Sequence, residues 1–132
     1  MKIILISGTH PRHLYVHQAI IDSGVECIAV VMERENLIPE PPKNLNQKDK
    51  RNFIKHFEER FVIENQIYGN ISYKEVFKNI KILKRTPKNI NSDETVNFIK
   101  GFGGDIAFIF GPDLIKDPLL SLLPSHKINL HL

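Results

Sequence analysis

The sequence has few of the features that mark secreted, membrane-bound or nucleic-acid-binding proteins. Its single cysteine, Cys27, cannot form an internal disulfide, which favours a reducing compartment. The apolar residues that precede Ser7 and Gly8 are too few for a signal peptide or a membrane span. The net charge of +3 is far from the concentrated positive charge of a nucleic-acid-binding protein. We therefore expect a cytoplasmic protein that binds neither a membrane nor nucleic acid.

Apolar runs and helical patterns alternate along the chain of 132 residues, a length that supports one hydrophobic core. Residues 2–7 and 25–32 are apolar runs without polar alternation, which is typical of parallel strands covered on both faces. Between them, Val16, Ala19 and Ile20 recur at helical spacing. This order predicts a right-handed βαβ unit with the first strand at the centre of the sheet.

The rest of the chain continues the alternation. The predicted elements are a loop over 36–47, an amphipathic helix from 48, a short helix over 72–79, an edge strand over 80–83, a helix from about 91, a strand over 105–110, a short helix over 119–123 and a last strand over 127–132. The long helix is predicted to carry its apolar face on Phe53, Ile54, Phe57 and Phe61. Together these elements predict an α/β fold in a single domain over 1–132, an open, mostly parallel twisted sheet with helices on both faces.

Polar residues in the last predicted strand are candidates for chemistry, because ligands of parallel sheets bind beyond the carboxyl ends of the strands. The alternation places Asn129 and His131 on the same face. An amide and an imidazole about 6 to 7 Å apart along a strand can hydrogen-bond one oxygen that gains negative charge, as acyl transfer requires. The same alternation is also common on exposed sheet faces that have no catalytic role.

The first strand-to-helix loop is a second candidate, since it carries Gly8, Thr9, His10 and Arg12. Backbone N–H groups at the start of the helix and the Arg12 guanidinium could hold a phosphate or carboxylate. A simple helix cap explains the loop equally well. The loop lacks the three glycines of a dinucleotide-binding fingerprint, which argues against a nicotinamide cofactor.

Three histidines, His10, His13 and His17, follow one another at helical spacing. Two imidazoles on one helix face could bind a metal, but no carboxylate or cysteine stands at a matching spacing. We therefore assign no metal site and interpret these histidines as exposed or loop-lining.

The carboxyl-terminal third of the chain resembles the signature of the formyltransferase family. The matching segments are Gly111-Pro112-Asp113-Leu114-Ile115, Pro118-Leu119-Leu120-Ser121-Leu122-Leu123-Pro124 and Ile128-Asn129-Leu130-His131. The resemblance implies that Asn129 and His131 are catalytic and polarise the formyl oxygen. It also implies that Phe110, Gly111, Pro112, Asp113 and Leu114 line the pterin pocket, and that Gly8, Thr9, His10 and Arg12 bind the formyl acceptor.

Members of this family transfer a formyl group from 10-formyltetrahydrofolate to an amine without a metal. Because the first loop is unlike those of the purine-pathway and transfer-RNA members, we expect the sugar-modifying branch, with the amine on a nucleotide-linked sugar. We also expect that the complete protein could form a homodimer.

Two departures from the family pattern qualify this expectation. The family continues with Pro-Ser-Leu-Leu-Pro after its histidine, whereas only Leu132 follows His131 here. The family's third catalytic residue, an aspartate downstream of the motif, has no counterpart in this chain. We therefore expect an amino-terminal domain that is incomplete at its carboxyl end, and that binds folate weakly but does not transfer formyl groups at a useful rate on its own.

Two other interpretations remain open. The segment Gly8-Thr9-His10-Pro11-Arg12 is similar to the Gly-Thr-Arg-Pro loop of nucleotide-sugar epimerases, which would not need Asn129 and His131. The chain could also be a small α/β binding module without catalytic activity, in which those two residues are incidental.

Overall fold

The computed structural model describes residues 1–131, so the end of the predicted last strand, Leu132, lies outside the described residues. Ten elements follow in the order β1 (Lys2–Ser7), α1 (Pro11–Asp22), β2 (Glu26–Met32), α2 (Gln47–Tyr68), α3 (Tyr73–Val76), β3 (Lys81–Arg85), α4 (Asp93–Lys100), β4 (Ile106–Phe110), α5 (Leu119–Leu122) and β5 (His126–Asn129). Among the described residues, no helix is both long and apolar enough to cross a membrane.

The five strands form one sheet in the order β3-β2-β1-β4-β5, and every neighbouring pair is parallel. The chain moves outward from β1 through β2 to β3, then returns to the other side of β1 for β4 and β5. The predicted α/β fold with a central first strand is confirmed, and so is the edge position of β3. The strand order reverses between β1 and β4, and such a reversal opens a crevice at the carboxyl ends of the strands.

Two apolar clusters cover the two faces of the sheet. On one face, Ile4, Ile6 and Val30 pack with residues of α4 and α5. On the other face, Leu5 and Val31 pack with residues of α1 and α3. The residues of β1 and β2 that alternate between these clusters are almost all buried, which is why both strands lack polar alternation in the sequence.

The long helix α2 contacts α1 and lies further from the sheet. Of its predicted apolar face, Phe53, Phe57 and Phe61 are half-buried, whereas Ile54 is exposed. The only fully buried residue of α2 is Glu64. Helix α2 therefore forms a second layer over α1 and does not pack directly against the strands.

The buried side of α1 differs from the one that its spacing predicted. Ala19 is exposed and Val16 and Ile20 are only half-buried, while His13 and His17 are buried against the sheet. The expectation that these histidines are exposed or loop-lining is therefore wrong. The neutral His17 ring is buried with hydrogen-bond partners and the neutral His13 ring against the aromatic ring of Phe110, and periodicity based on apolar residues alone overlooks both.

Candidate functional site

A cleft of about 560 Å³ opens at the carboxyl ends of β1, β4 and β5, and we call it the strand-end cleft. Most of its lining comes from three segments, Arg12 and His13 after β1, residues 109–115 at and after β4, and residues 127 and 129–131 at the end of β5. Arg60 of α2 and Leu120 of α5 complete it. The cleft therefore lies where the strand order reverses, the usual ligand position in an open α/β sheet. Its volume is within the range of small-molecule and cofactor sites, about 300 to 1,000 Å³.

The register of β4 and β5 brings the two candidate catalytic residues to this cleft. Asn129 is paired with Ile109, and the Leu130 N–H donates to the Ile109 carbonyl over 2.9 Å. Both Asn129 and His131 line the cleft together with Phe110. Because β5 runs parallel to β4, Asn129 and His131 lie at the end of β4 next to the cleft. From there the amide and the imidazole could reach the same ligand.

Asn129 and His131 are both exposed, as is the whole of β5. Within residues 1–131, neither side chain makes a hydrogen bond to another protein group, so both remain available to a ligand. The regular strand ends at Asn129, three residues earlier than predicted, and His131 lies just beyond it. Ile128 is 51% exposed, and in the sheet formed by residues 1–131 β5 is an edge strand.

The segment that the family resemblance assigns to the pterin pocket, residues 110–114, forms the wall between β4 and the cleft. Gly111 has a φ of 92°, a left-handed conformation that favours glycine. Asp113 is fixed by an ion pair with Arg34 and by its N–H, which contacts the Met32 sulfur at 3.4 Å. Leu114 is exposed, so the wall presents backbone, a proline ring and an apolar side chain.

Asn91 holds the end of this wall from outside. Its Nδ2 donates to the Leu114 carbonyl at 3.0 Å, and its Oδ1 accepts from the Lys116 N–H at 2.7 Å. The Asn91 side chain therefore hydrogen-bonds the backbone on both sides of Ile115, whose side chain is buried. The conformation after β4 is held by contacts distant in sequence, which local patterns could not predict.

His13 forms the floor of the cleft, and sequence reasoning missed this position. A Cβ added to Gly111 would come within 2.1 Å of its ring, and a Cβ added to Gly8 would come within 2.5 Å. The ring also packs edge-on against Phe110, with 4.5 Å between centroids. In the sequence, His13 is only a histidine five residues after Gly8. Its contact with Gly111 depends on the fold and cannot be read from the sequence.

His17 lies directly below His13 and ties α1 to β1. Its Nδ1 is 2.8 Å from the His13 carbonyl oxygen and 3.0 Å from the Ser7 hydroxyl. Because a carbonyl only accepts, Nδ1 carries the proton, and Nε2 has no partner among the described residues. Burial lowers the pKa of His17 from 6.5 to about 4, although its backbone hydrogen bonds act in the opposite direction.

The pKa values of His13 and His10 are lowered as well. For both residues burial is the largest cause and the Arg12 guanidinium the second. The pKa of His10 falls to about 4, and that of His13 falls well below the ordinary value of 6.5. At neutral pH these imidazoles are therefore uncharged, including the His13 ring at the floor of the cleft.

The first loop does not have the open anion site that we expected. The Gly8 N–H donates to the Phe110 carbonyl at 2.9 Å, and the His13 N–H donates to the His10 carbonyl at 2.9 Å. Pro11 has no N–H, so the helix start offers few free donors. The Arg12 guanidinium points to α2, where Nη1 lies 2.6 Å from Glu64 Oε1. Arg12 is thus paired with a carboxylate that the sequence analysis did not single out.

The other two residues predicted to bind the acceptor lie apart from the strand-end cleft. His10 lines a separate cavity next to Arg12 and makes no capping hydrogen bond through its side chain. Thr9 is half-buried in the loop, and among residues 1–131 it lines neither of these two cavities. The structure therefore brings Asn129, His131 and the 110–114 segment together, while dividing the first loop between two sites.

Glu64 could have been singled out from the sequence as a buried charged residue, although its partner Arg12 could not. Phe57, Phe61, Glu64 and Tyr68 follow one another at spacings of four, three and four, so the carboxylate stands on the half-buried stripe of α2. A charged residue on such a stripe is rare unless it is paired, which would have directed attention to a buried ion pair.

No group of three or more His, Cys, Asp or Glu side chains that could hold a metal ion is found among residues 1–131. The rings of His10 and His13 are 5.3 Å apart between centroids and stand nearly edge to face.

Comparison with known proteins adds no assignment to this geometry. No protein-family model matches the chain, and no curated protein matches it significantly. The resemblance to formyltransferases therefore rests on the segments quoted above and on the positions of Asn129, His131 and the 110–114 segment.

Proposed function

We propose that the strand-end cleft transfers a formyl group from 10-formyltetrahydrofolate to an amine, for which the amine of a nucleotide-linked sugar is the preferred candidate. One observation carries the proposal: Asn129 and His131 share a cleft with the 110–114 segment, at the point where the strand order reverses. These are the residues that the family resemblance pairs as catalytic groups and pterin pocket.

The residues of the cleft fit a flat, hydrogen-bonding ring. Gly111 has no side chain to obstruct it, Pro112 and Leu114 offer apolar surface, and the buried His13 ring leaves no room for a Cβ at Gly111. Backbone groups of 110–113 would then hydrogen-bond the ring edge. The donor supplies an activated formyl carbon.

The two side chains from β5 would act on the formyl oxygen. When an amine attacks the formyl carbon, this oxygen gains negative charge, and the Asn129 amide can donate a hydrogen bond to it. His131 can stabilise the same charge and move a proton from the attacking amine toward the departing nitrogen of the donor. The bond to that nitrogen breaks as the new amide bond forms, so no oxidant or metal is needed.

Turnover by this chain should be slow. Among residues 1–131, no carboxylate hydrogen-bonds the His131 ring to set its orientation and tautomer. Loss of an orienting carboxylate costs about 10⁴ in rate in a serine-protease triad.

The test combines binding with turnover. The chain should bind 5-formyltetrahydrofolate, a stable analogue of the donor, with NMR shifts confined to 110–114 and 129–131. With 10-formyltetrahydrofolate and an amino-sugar nucleotide, release of tetrahydrofolate should exceed the uncatalysed rate. Asn129→Ala should then lower it by about 10²- to 10³-fold.

His131→Ala should also lower the rate, and His126→Ala is its matched control. Both histidines are exposed, but His126 begins β5 and does not line the cleft, whereas His131 lies just beyond the end of β5 and lines it. Equal rates for these two variants would contradict the proposal. Binding of the analogue without turnover in the wild-type chain would instead favour a non-catalytic binding module.

A further inference from the structure

A second cavity, of about 270 Å³, lies between the first loop, the loop that follows β2, and α2. We call it the arginine pocket, because Arg12, Arg34 and Arg60 line it together with Glu64. Arg12 and Arg60 also line the strand-end cleft, so the two guanidinium groups separate the cavities. The family resemblance places two of its residues, His10 and Arg12, at the formyl acceptor, but it assigns no role to Arg34, Arg60 or Glu64.

Positive charge is in excess here. Glu64 Oε1 accepts from Arg12 Nη1 at 2.6 Å and from Arg60 Nε at 3.0 Å, so one carboxylate faces two guanidinium groups. Arg34 is paired with Asp113, which faces the other cavity. Burial lowers the pKa of His10, so this neighbour is neutral and adds no charge. Three guanidinium groups and two carboxylates thus leave one positive charge in excess among these described residues, and an anion would compensate it.

The second carboxylate oxygen of Glu64, Oε2, is a further polar feature of the pocket wall. Glu64 is only 7% exposed, and its Oε2 has no partner among residues 1–131. A buried carboxylate oxygen without a donor is costly, and native proteins satisfy such atoms with protein groups, water or ligands. Glu64 lines the pocket, but Oε2 itself has almost no accessible surface, so a ligand hydroxyl would reach it after the carboxyl group turns toward the cavity.

The remaining wall is apolar. Phe57 and Phe61 from α2 and Leu37 and Pro39 from the loop after β2 line it. This surface suits a carbon skeleton between the anionic group and the hydroxyl. The volume is near the lower end for small-molecule sites, about 300 Å³, so the pocket fits a molecule the size of a sugar phosphate.

We propose that the arginine pocket binds a small phosphorylated, hydroxylated molecule, with its phosphate on Arg12 and Arg60 and a hydroxyl on Glu64 Oε2. A phosphate is favoured over a carboxylate because its oxygens can accept from two guanidinium groups that approach from different directions. The inference does not depend on formyl transfer, since it concerns binding in the absence of folate.

The experiment titrates the full chain with glucose 6-phosphate by calorimetry, beside glucose, inorganic phosphate and gluconate. Glucose 6-phosphate should bind at least about tenfold more tightly than each of the three, since each lacks one charge-assisted or hydroxyl contact. Affinity for glucose 6-phosphate no better than for gluconate or inorganic phosphate would overturn the proposal, as would no binding at all.

Two arginines of α2 supply a matched pair of variants. Arg60→Gln should weaken the binding of glucose 6-phosphate by roughly ten- to hundredfold. Arg51→Gln removes an exposed arginine of the same helix that does not line the pocket and should leave the affinity unchanged. Equal losses in both variants would mean non-specific attraction to a basic surface and would overturn the assignment.

Glu64→Gln separates the anion contact from the hydroxyl contact. Removing the carboxylate should tighten the binding of inorganic phosphate severalfold, while the preference for glucose 6-phosphate over inorganic phosphate shrinks. If a variant does not fold, NMR on the wild-type chain remains decisive. Glucose 6-phosphate should shift the amide signals of His10, Arg12 and residues 57–64, and shifts confined to the strand-end cleft would overturn the proposal.

Discussion

The two cavities at this edge of the sheet have walls of different kinds. The strand-end cleft is built from the backbone of 110–113 and from buried, neutral rings such as His13. The arginine pocket has an apolar side and a charged wall, with Glu64 on a helix that lies outside the first layer over the sheet. Close packing around His13 forms the floor of the first cavity, and ion pairs at Glu64 form one wall of the second. Packing and charge can be perturbed separately, so each wall can be tested alone.

The strongest test of the packed wall is Gly111→Ala. The new Cβ would meet the His13 ring at 2.1 Å, and the residue would also have to keep a φ of 92°. Overpacking and backbone strain together should reduce the free energy of unfolding by about 2–5 kcal/mol. Urea denaturation of the variant and the wild type measures the difference.

Gly24→Ala is the control, because Gly24 has a φ of 79° and no atom within 4 Å of an added Cβ. It should lose only the strain of the left-handed conformation, about 1–2 kcal/mol. Equal losses at the two glycines would show that His13 moves away at no cost, and the cleft floor would then not be close-packed.

The same contrast explains what the sequence could predict. Uninterrupted apolar runs at β1, β2 and β4 predicted buried parallel strands, and their order placed Asn129 at the same sheet edge as Phe110. Those predictions depend on local patterns and on the rules of strand connection. The partners of Arg12 could not be predicted in this way. Glu64 is 52 residues away, and only the packing of α2 on α1 brings the two together.

Acid should destabilise the chain through the neutral His17 ring beneath the floor of the cleft. His17 has a pKa of about 4 in the folded chain because of burial, against 6.5 in the unfolded chain. Above pH 6.5 the ring is neutral in both states. Between pH 6.5 and about 4 only the unfolded chain takes up the proton, so stability falls as the pH falls, by up to about 3 kcal/mol from this residue.

His17→Asn removes the ionisable ring while keeping a donor near the position of Nδ1. Chemical denaturation at intervals between pH 7 and pH 4 should show a shallower loss of stability in this variant than in the wild type. His56→Gln, which removes an exposed imidazole from α2, is the control. A loss as steep in His17→Asn as in the wild type would mean that other groups account for the acid sensitivity.

The charged wall should give the smallest effect on stability. Glu64→Gln leaves Arg12 and Arg60 without their shared carboxylate, although the amide oxygen can still accept one hydrogen bond. We expect a loss of about 1–2 kcal/mol, in the lower range for hydrogen bonds to charged groups. The loss is limited because the Arg60 side chain is 36% exposed and water can solvate it.

Glu59→Gln on the same helix breaks only the exposed pair with Lys55, 3.7 Å apart, and should change stability by less than about 0.5 kcal/mol. The difference between the two variants in urea denaturation therefore measures what burial adds to an ion pair on α2. Raising the salt concentration should reduce the Glu59 effect more than the Glu64 effect, because exposed charges are screened more strongly than buried ones. If the two variants lost the same small amount, Glu64 would be no more than a surface carboxylate. In that case the packing of α2 on α1, and not the ion pairs of Glu64, would hold the charged wall in place.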